Sequence, residues 1–510
     1  MPDRNPAFLL ALFTLWWGLP IGHCAPAPPN IVVLLADDMG FSDLGCTGSE
    51  IETPHLDKLA NDGVLFTQCY NTSRCCPSRA ALLTGRYQWD AGLGHMNTTK
   101  SPYPEYQQVL SLETPTLAEA LRDIGYQTFM AGKWHVGDPR EHWPDKRGFD
   151  HFYGTPTGGG LYFFPSPFYD RPIYRDGTRV EPEGEWYSTD GFTDGAIDFL
   201  RTQRDPDHPF FLYLAYIAPH FPLQAKAEDI EKYQETYRGG YEPIRRRRFA
   251  KQRRLGVIPD GFPLSEPTYP DWNAIADPAQ EARKMAVYAA QVDCMDQNIG
   301  RLITTLRDID ALENTLILFL SDNGACATDF NRTPSEPIGS RLSNATYGPW
   351  HNVSNTPYRL AKRQEHEGGI ATPLIAYWPE GILDPGRIVD SITHIMDVFP
   401  TCLEIAQIGN RVAPESDGES FASVLKGQDR EKERALFWEH EGNRAARLGD
   451  WKLVAVRGGP WELYNLAADP FETIDLAADR PEKRSQMERL YADWAEEHGV
   501  RPWPLPKPSP

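Results

Sequence analysis

The stretch "NTSRCCPSRAALLTGRYQ", residues 71–88, sets two adjacent cysteines, a proline and two arginines directly before a helix-forming run. Pro77 suits the first helical position, where a missing N–H costs nothing, and Gly85 suits the end. Cys75 then stands at a helix N-terminus, where unpaired N–H groups and the helix dipole favour an anion. Arg79, one turn on, can reach back to the same anion as a bidentate donor. From these residues alone, position 75 reads as an anion-binding nucleophile, with the thiolate its reactive form. Elsewhere, Asp37-Asp38 and Asp322-Asn323 offer only oxygen donors. Such donors suit Ca²⁺ or Mg²⁺, whereas a thiolate suits neither. A hard-cation site beside a cysteine nucleophile is a chemical conflict that the residues do not resolve.

The elements that must position these groups are legible in the hydrophobic pattern. "NIVVLLADD", "YQTFMAGKWH", "PFFLYLAYIAPH" and "NTLILFLSDNG" are short apolar runs, each followed at once by polar residues. Buried parallel strands look like this, and their alternation with helical patterns predicts an α/β fold, a sheet with helices on both faces. Ligands of such sheets gather beyond the carboxyl ends of the strands. Those ends carry Asp37-Asp38, Lys133 and His135, His220, and Asp322-Asn323.

Between Ala225 and Asn273 lies a polar insertion whose run "RRRRFAKQRR", Arg245 to Arg254, holds seven basic residues in ten. A solvated face is the expected reading, ahead of a grip on a polyanion. The Ser-, Asn-, Pro- and Gly-rich stretch from Thr328 to Thr356 reads as a loop near the site, and "GGGLYFFPSPFYDRP", Gly158 to Pro172, as a second loop shaping its pocket. After about Asp397 short strands joined by turns precede an amphipathic helix, which predicts a smaller C-terminal α+β domain. The expected division is 1–27, 28–396 and 397–510.

Composition bounds the rest. A net charge of −20 argues against nucleic-acid binding and requires a strongly positive local site for any anionic substrate. The apolar run from Ala7 to about Ile21 is short and broken, as in a secretory signal rather than a membrane span. Export is therefore expected, to the periplasm, the medium or a secretory organelle, without stable membrane insertion. Of eight cysteines, Cys24 falls in that leader, so an odd number remains for an oxidising compartment.

"CCPSRAALLTGR" resembles the sulfatase signature C-x-P-S-R-x-x-x-L-T-G with Cys75 first. Further blocks follow in family order: "NIVVLLADDMGFSDLGC", "AGKWHVG", "APHFPLQ", "LFLSDNG", "AKRQEHEGGIATPLIAYWP" and "GDWKL…ELYNLAADPFE". The chain is thus similar to type I, formylglycine-dependent sulfatases of the alkaline-phosphatase-like superfamily. The resemblance implies a large, mixed but mostly parallel sheet flanked by helices, with a small antiparallel sheet and helix after it. It implies that a maturation enzyme oxidises Cys75 to Cα-formylglycine, whose hydrate is an oxygen nucleophile compatible with a hard cation. One Ca²⁺ is implied on Asp37, Asp38, Asp322, Asn323 and residue 75. Arg79, Lys133, His135, His220 and Lys362 are implied around the sulfate, with His220 first candidate for general acid and His135 for base. Ala371 departs from the arginine that many members carry. The implied substrate is a sulfated small molecule or glycan. Alternatives are a phosphonate or phosphate monoester hydrolase with the same site, and a non-catalytic binder of sulfated glycans.

Overall fold

The computed structural model describes residues 27–407, 414–428, 430 and 433–507, so all but the last residue of the expected 1–27 leader lies outside it. Eleven strands form one large sheet: β1 (Asn30–Ala36), β2 (Val64–Tyr70), β3 (Gln127–Lys133), β4 (His151–Thr155), β5 (Ile173–Arg175), β6 (Thr178–Val180), β7 (Phe210–Ala215), β8 (Thr315–Ser321), β9 (Ala371–Tyr377), β10 (Arg387–Val389) and β11 (Thr393–His394). Their spatial order is β10-β2-β9-β8-β1-β7-β3-β4-β5-β6, with β11 also on β2. The centre, β8-β1-β7-β3-β4, is parallel throughout. β9 runs antiparallel to both β8 and β2, which makes the sheet mixed. β1, β7 and β8 are apolar along nearly their whole length and buried, as strands covered on both faces must be.

A second sheet follows, antiparallel and four-stranded, in the order β12 (Ala435–His440), β13 (Asn443–Leu448), β14 (Trp451–Ala455), β15 (Glu462–Asn465). The Pro481–Glu497 helix packs on it through Met487, which sits with Ala446, Leu453 and Leu463 in a small apolar cluster. The helices Val398–Ile405 and Ala422–Leu425 belong instead to the large core, which takes in Phe399, Leu403, Val424 and Leu425.

The basic run differs from the expected solvated face. It lies in the Tyr241–Leu255 helix, and Arg245 and Arg248 are buried while Arg246, Arg247, Arg253 and Arg254 remain outside. Arg248 meets Asp43 at 2.7 Å and Glu50 at 2.8 Å, and Arg245 donates to Ser265. A three-residue step puts both arginines on the inner face, Arg245 toward Ser265 about twenty residues on and Arg248 toward acids about two hundred residues back, which no local pattern discloses. Among the described residues no helix is long and apolar enough to cross a membrane.

Candidate functional site

The helix after β2 spans Cys75–Thr84 and ends at Gly85, whose φ of 68° is the left-handed conformation that glycine accepts most readily. It begins two residues before the expected start: Arg74 is the extended flanking residue, and Pro77 sits third. Proline is harmless there because first-turn N–H groups have no intrahelical acceptor anyway. Cys75 therefore occupies the first helical position, almost wholly buried.

Eight of the site residues expected from the sequence, Asp37, Asp38, Arg79, Lys133, His220, Asp322, Asn323 and Lys362, fall in one connected network at the carboxyl ends of the strands. Ligand atoms of Cys75 and His135 lie with that of Cys76 within 4.8 Å of one another. β1 delivers Asp37 and Asp38, β3 delivers Lys133 and His135, β7 leads to His220, and β8 to Asp322 and Asn323. Lys133 Nζ lies 2.5 Å from Asp37 Oδ2. Arg79 donates through Nε and Nη2 to Asp322 Oδ2, at 3.1 and 2.8 Å, and through Nη1 to the Lys133 carbonyl at 2.9 Å. Asp322 Oδ1 accepts from the Asp38 amide at 3.2 Å, and Asn323 Nδ2 donates to Asp38 Oδ1 at 2.7 Å. Lys362 Nζ bonds the same Asp38 oxygen. His220 Nε2 stands 3.6 Å from Asp38 Oδ2, while its Nδ1 is 2.6 Å from the Phe221 carbonyl.

The backbone is forced into shape around this network. Asp38, Ser73, His135 and Arg363 have φ of 67°, 59°, 64° and 80°, the left-handed region. Such conformations cost on the order of 1–3 kcal/mol each and persist only when the surroundings over-determine them. Gly158 and Gly159 press on the two histidines: a Cβ there would lie 2.9 Å from His135 Nε2 and 3.0 Å from His220 Nδ1. The expected Gly158 loop thus touches the site.

The electrostatics show what the network lacks. Asp37 is held far below the carboxylate range, because Lys133, His220 and Arg79 outweigh the burial that would raise it. Asp322 goes the other way, pushed well up by burial and by the charge of Asp37. His135 is driven down to about 4 by burial and Lys133, and burial lowers His220 too. The Cys75 thiol is held well below its usual value, first by the Cys76 thiol beside it and then by Lys133, Lys362 and His135. Asp37 Oδ1, Asp38 Oδ2 and Asn323 Oδ1 are buried with no hydrogen-bond partner. Ligand atoms of Asp37, Asp38 and His220 lie within 4.8 Å of one another. Buried oxygens without donors are costly unless something satisfies them, and a hard divalent cation fits an all-oxygen set of this charge. The residues present therefore fit Ca²⁺ or Mg²⁺.

A cavity of about 400 Å³ opens over Lys362, lined by Cys326 and Thr328, by Arg363 and Gln364, and by Glu441, Asn443 and Arg457 of the small sheet. The sequence reading anticipated loop 328–356 here, but not the β12–β13 turn or the residues after β14. Hydrophilic turn residues were the signal available, and they look the same in any surface hairpin. Arg74, which precedes Cys75, carries no such signal either, since arginine is not among the residues that cap helices.

Comparison with known proteins supplies the chemistry. The family model "Sulfatase" matches residues 29–408, and "N-sulphoglucosamine sulphohydrolase, C-terminal" matches 359–496. An arylsulfatase of Klebsiella aerogenes is 36% identical over 405 residues, covering 74% of this chain and 87% of that protein. The N-acetylgalactosamine-6-sulfatase of Sus scrofa is 31% identical, covering 84% and 72%. A crystal structure of Ps i-CgsB in complex with k-i-k-neocarrahexaose superposes with a TM-score of 0.72 at 27% identity, over 92% of this chain and 93% of that one. With a family match over far more than half its length and relatives of this kind, the chain belongs to the sulfatase family and is a sulfate ester hydrolase.

Proposed function

We propose that the chain cleaves sulfate monoesters with Cα-formylglycine, made from Cys75 by a maturation enzyme, beside one Ca²⁺ held by Asp37, Asp38, Asp322, Asn323 and residue 75. The observation that carries this reading is the set of buried oxygens without donors, Asp37 Oδ1, Asp38 Oδ2 and Asn323 Oδ1, at the helix end that presents Cys75. Conversion replaces sulfur by oxygen at position 75, which removes the mismatch between a soft thiolate and a hard cation. The cation, when bound, supplies charge stabilisation for sulfate oxygens and acidifies a hydroxyl.

The chain's own groups do the rest. Arg79 is fixed by Asp322 and the Lys133 carbonyl, so its orientation is set before substrate arrives. Lys133 and Lys362 flank residue 75 with positive charge that the transferring group shares as it loses its ester bond. His220 donates Nδ1–H to the Phe221 carbonyl and turns Nε2 toward Asp38. As the imidazolium, which Asp38 and Asp37 favour against burial, it delivers the Nε2 proton to the leaving alcohol and is left neutral. His135, kept neutral by burial, accepts a proton as residue 75 is freed of sulfate. A sulfated sugar is the favoured substrate, supported by the names of the relatives and of the Ps i-CgsB complex. The apolar leader favours export.

The test is the mass of the peptide containing residue 75, about 18 Da lower after conversion, together with turnover of 4-nitrophenyl sulfate before and after chelation. An unaltered thiol in fully active material refutes the reading.

A further inference from the structure

We propose that Arg74, which adjoins residue 75, together with Arg457 on the neighbouring cleft, binds a second fixed anion of the substrate, a sulfate or carboxylate carried near the ester that is cleaved. The inference rests on the function proposed above and extends it to a substrate class.

The charges of the centre are matched among themselves. Lys133 pairs with Asp37, Arg79 with Asp322, and Lys362 with Asp38. At the cleft, Arg363 pairs with Glu441. Arg74 and Arg457 are left over: neither makes an ion pair or a side-chain hydrogen bond among the described residues. Arg457 is exposed and contributes only its backbone amide, to Asn443. Arg74 is more constrained. It precedes Cys75 as the flanking residue of the helix, its side chain makes no capping bond, and its Nε is buried without a partner. Its charge is felt by Cys75, by Cys326 and Glu441, which line the cavity, and by Asp38.

A buried guanidinium donor without an acceptor is costly. Five other arginines among the described residues also leave a buried Nε without a hydrogen-bond partner, but Arg74 is the one beside residue 75, where an acceptor can arrive with substrate. The scissile sulfate does not need it, because Arg79, Lys133, Lys362 and a cation already surround that group. In a chain of net charge −20, two arginines without ion pairs, one beside residue 75 and one on the adjoining cleft, favour a ligand with a further negative charge. The cleft, about 400 Å³, has room for a sugar-sized leaving group bearing it.

Binding to a Cys75→Ala protein in the presence of Ca²⁺ tests this without turnover. Calorimetry would compare galactose 6-sulfate, galactose 4,6-disulfate, and a disaccharide bearing one sulfate and one uronate carboxylate. At least one doubly charged probe is expected to bind tenfold or more tightly than galactose 6-sulfate; which one tells sulfate from carboxylate. Adding Arg74→Gln should remove most of that preference and Arg74→Lys should retain part, while Arg457→Ala should reduce it about threefold. Two results overturn the proposal: no preference for either doubly charged probe, or an equal loss for singly and doubly charged probes on Arg74→Gln. Should Arg74→Gln fail to fold, Arg457→Ala, at an exposed side chain, carries the test, and an unchanged preference there overturns it. Loss of the formylglycine reading would show in the mass of peptide 75 and leave this binding result standing.

Discussion

Two buried charge clusters lie within a few residues of each other after β1, and they are built on opposite terms. Around Arg248 every charged oxygen has a donor. Asp43 accepts from Arg248 at 2.7 Å, from Tyr288 at 2.7 Å and from the Gly40 amide at 2.9 Å. Glu50 accepts from Arg248 through both oxygens and from Tyr237 at 2.8 Å. Around Arg79, by contrast, Asp37 Oδ1, Asp38 Oδ2 and Asn323 Oδ1 have no donor, and Asp322 is pushed up by burial and by Asp37. The cluster around Arg248 closes its own hydrogen bonds, whereas the one around Arg79 keeps acceptors bare, as the proposed ion and substrate require. Charge and burial alone do not separate them; atom-by-atom satisfaction does.

The sharpest break between the two is chemical. Cys75→Ala should lower aryl sulfate turnover by about 10⁴-fold or more, as loss of a nucleophile does, with the urea midpoint unchanged. Arg248→Met should do the reverse, costing roughly 3–5 kcal/mol of unfolding free energy because Asp43 and Glu50 remain buried and unpaired. Its kcat, measured well below its melting temperature, should stay close to that of the parent. Calcium draws a third line. Saturation at a hundredfold over its dissociation constant should stabilise the parent by about 2.7 kcal/mol. Differential scanning calorimetry with and without chelator should show most of that gain lost in Asp37→Asn and kept in full, on a lower baseline, in Arg248→Met.

The smallest effect tests a half-buried pair that belongs to neither cluster. His498, at the end of the last helix, lies 2.8 Å from Asp90, and although burial would lower it the carboxylate raises its pKa above 6.5. A raised value means the pair's contribution is complete below 6.5 and fades as pH climbs through the folded-state value. The pair is partly solvated, so the loss should be on the order of 0.5–1 kcal/mol. The melting temperature of His498→Gln should therefore fall less between pH 6 and 8 than that of the parent.

How far the residues alone reach can be judged position by position. Asp37-Asp38, Lys133 and His135, His220 and Asp322-Asn323 were legible because each follows an apolar run, and the polar residues after buried parallel strands meet on one edge of the sheet. Lys362 needed the family resemblance, since a lone lysine after a turn has no distinguishing spacing. The Arg245–Arg254 run misled because composition describes a whole helix, while burial is decided face by face. Pro77 marked a helix start two residues late, since the whole first turn tolerates it. Glu441 and Arg457 were invisible, as the small sheet's hairpins reach the cleft only after that sheet docks.

The sequence by itself determined the alternation of strands and helices, the loading of strand ends with charge, and the signature around Cys75. Those are local properties, set by side-chain period and by the chemistry of neighbours along the chain. Only the tertiary structure decided which of the many acids and arginines satisfy one another and which stay open. Satisfaction depends on distances between residues hundreds of positions apart: Asp38 with Asn323 at 2.7 Å, Arg79 with Asp322 at 2.8 Å, and Arg74 Nε with no acceptor. A chain records its residues in order, but an unmet hydrogen bond exists only once the fold has excluded water from it.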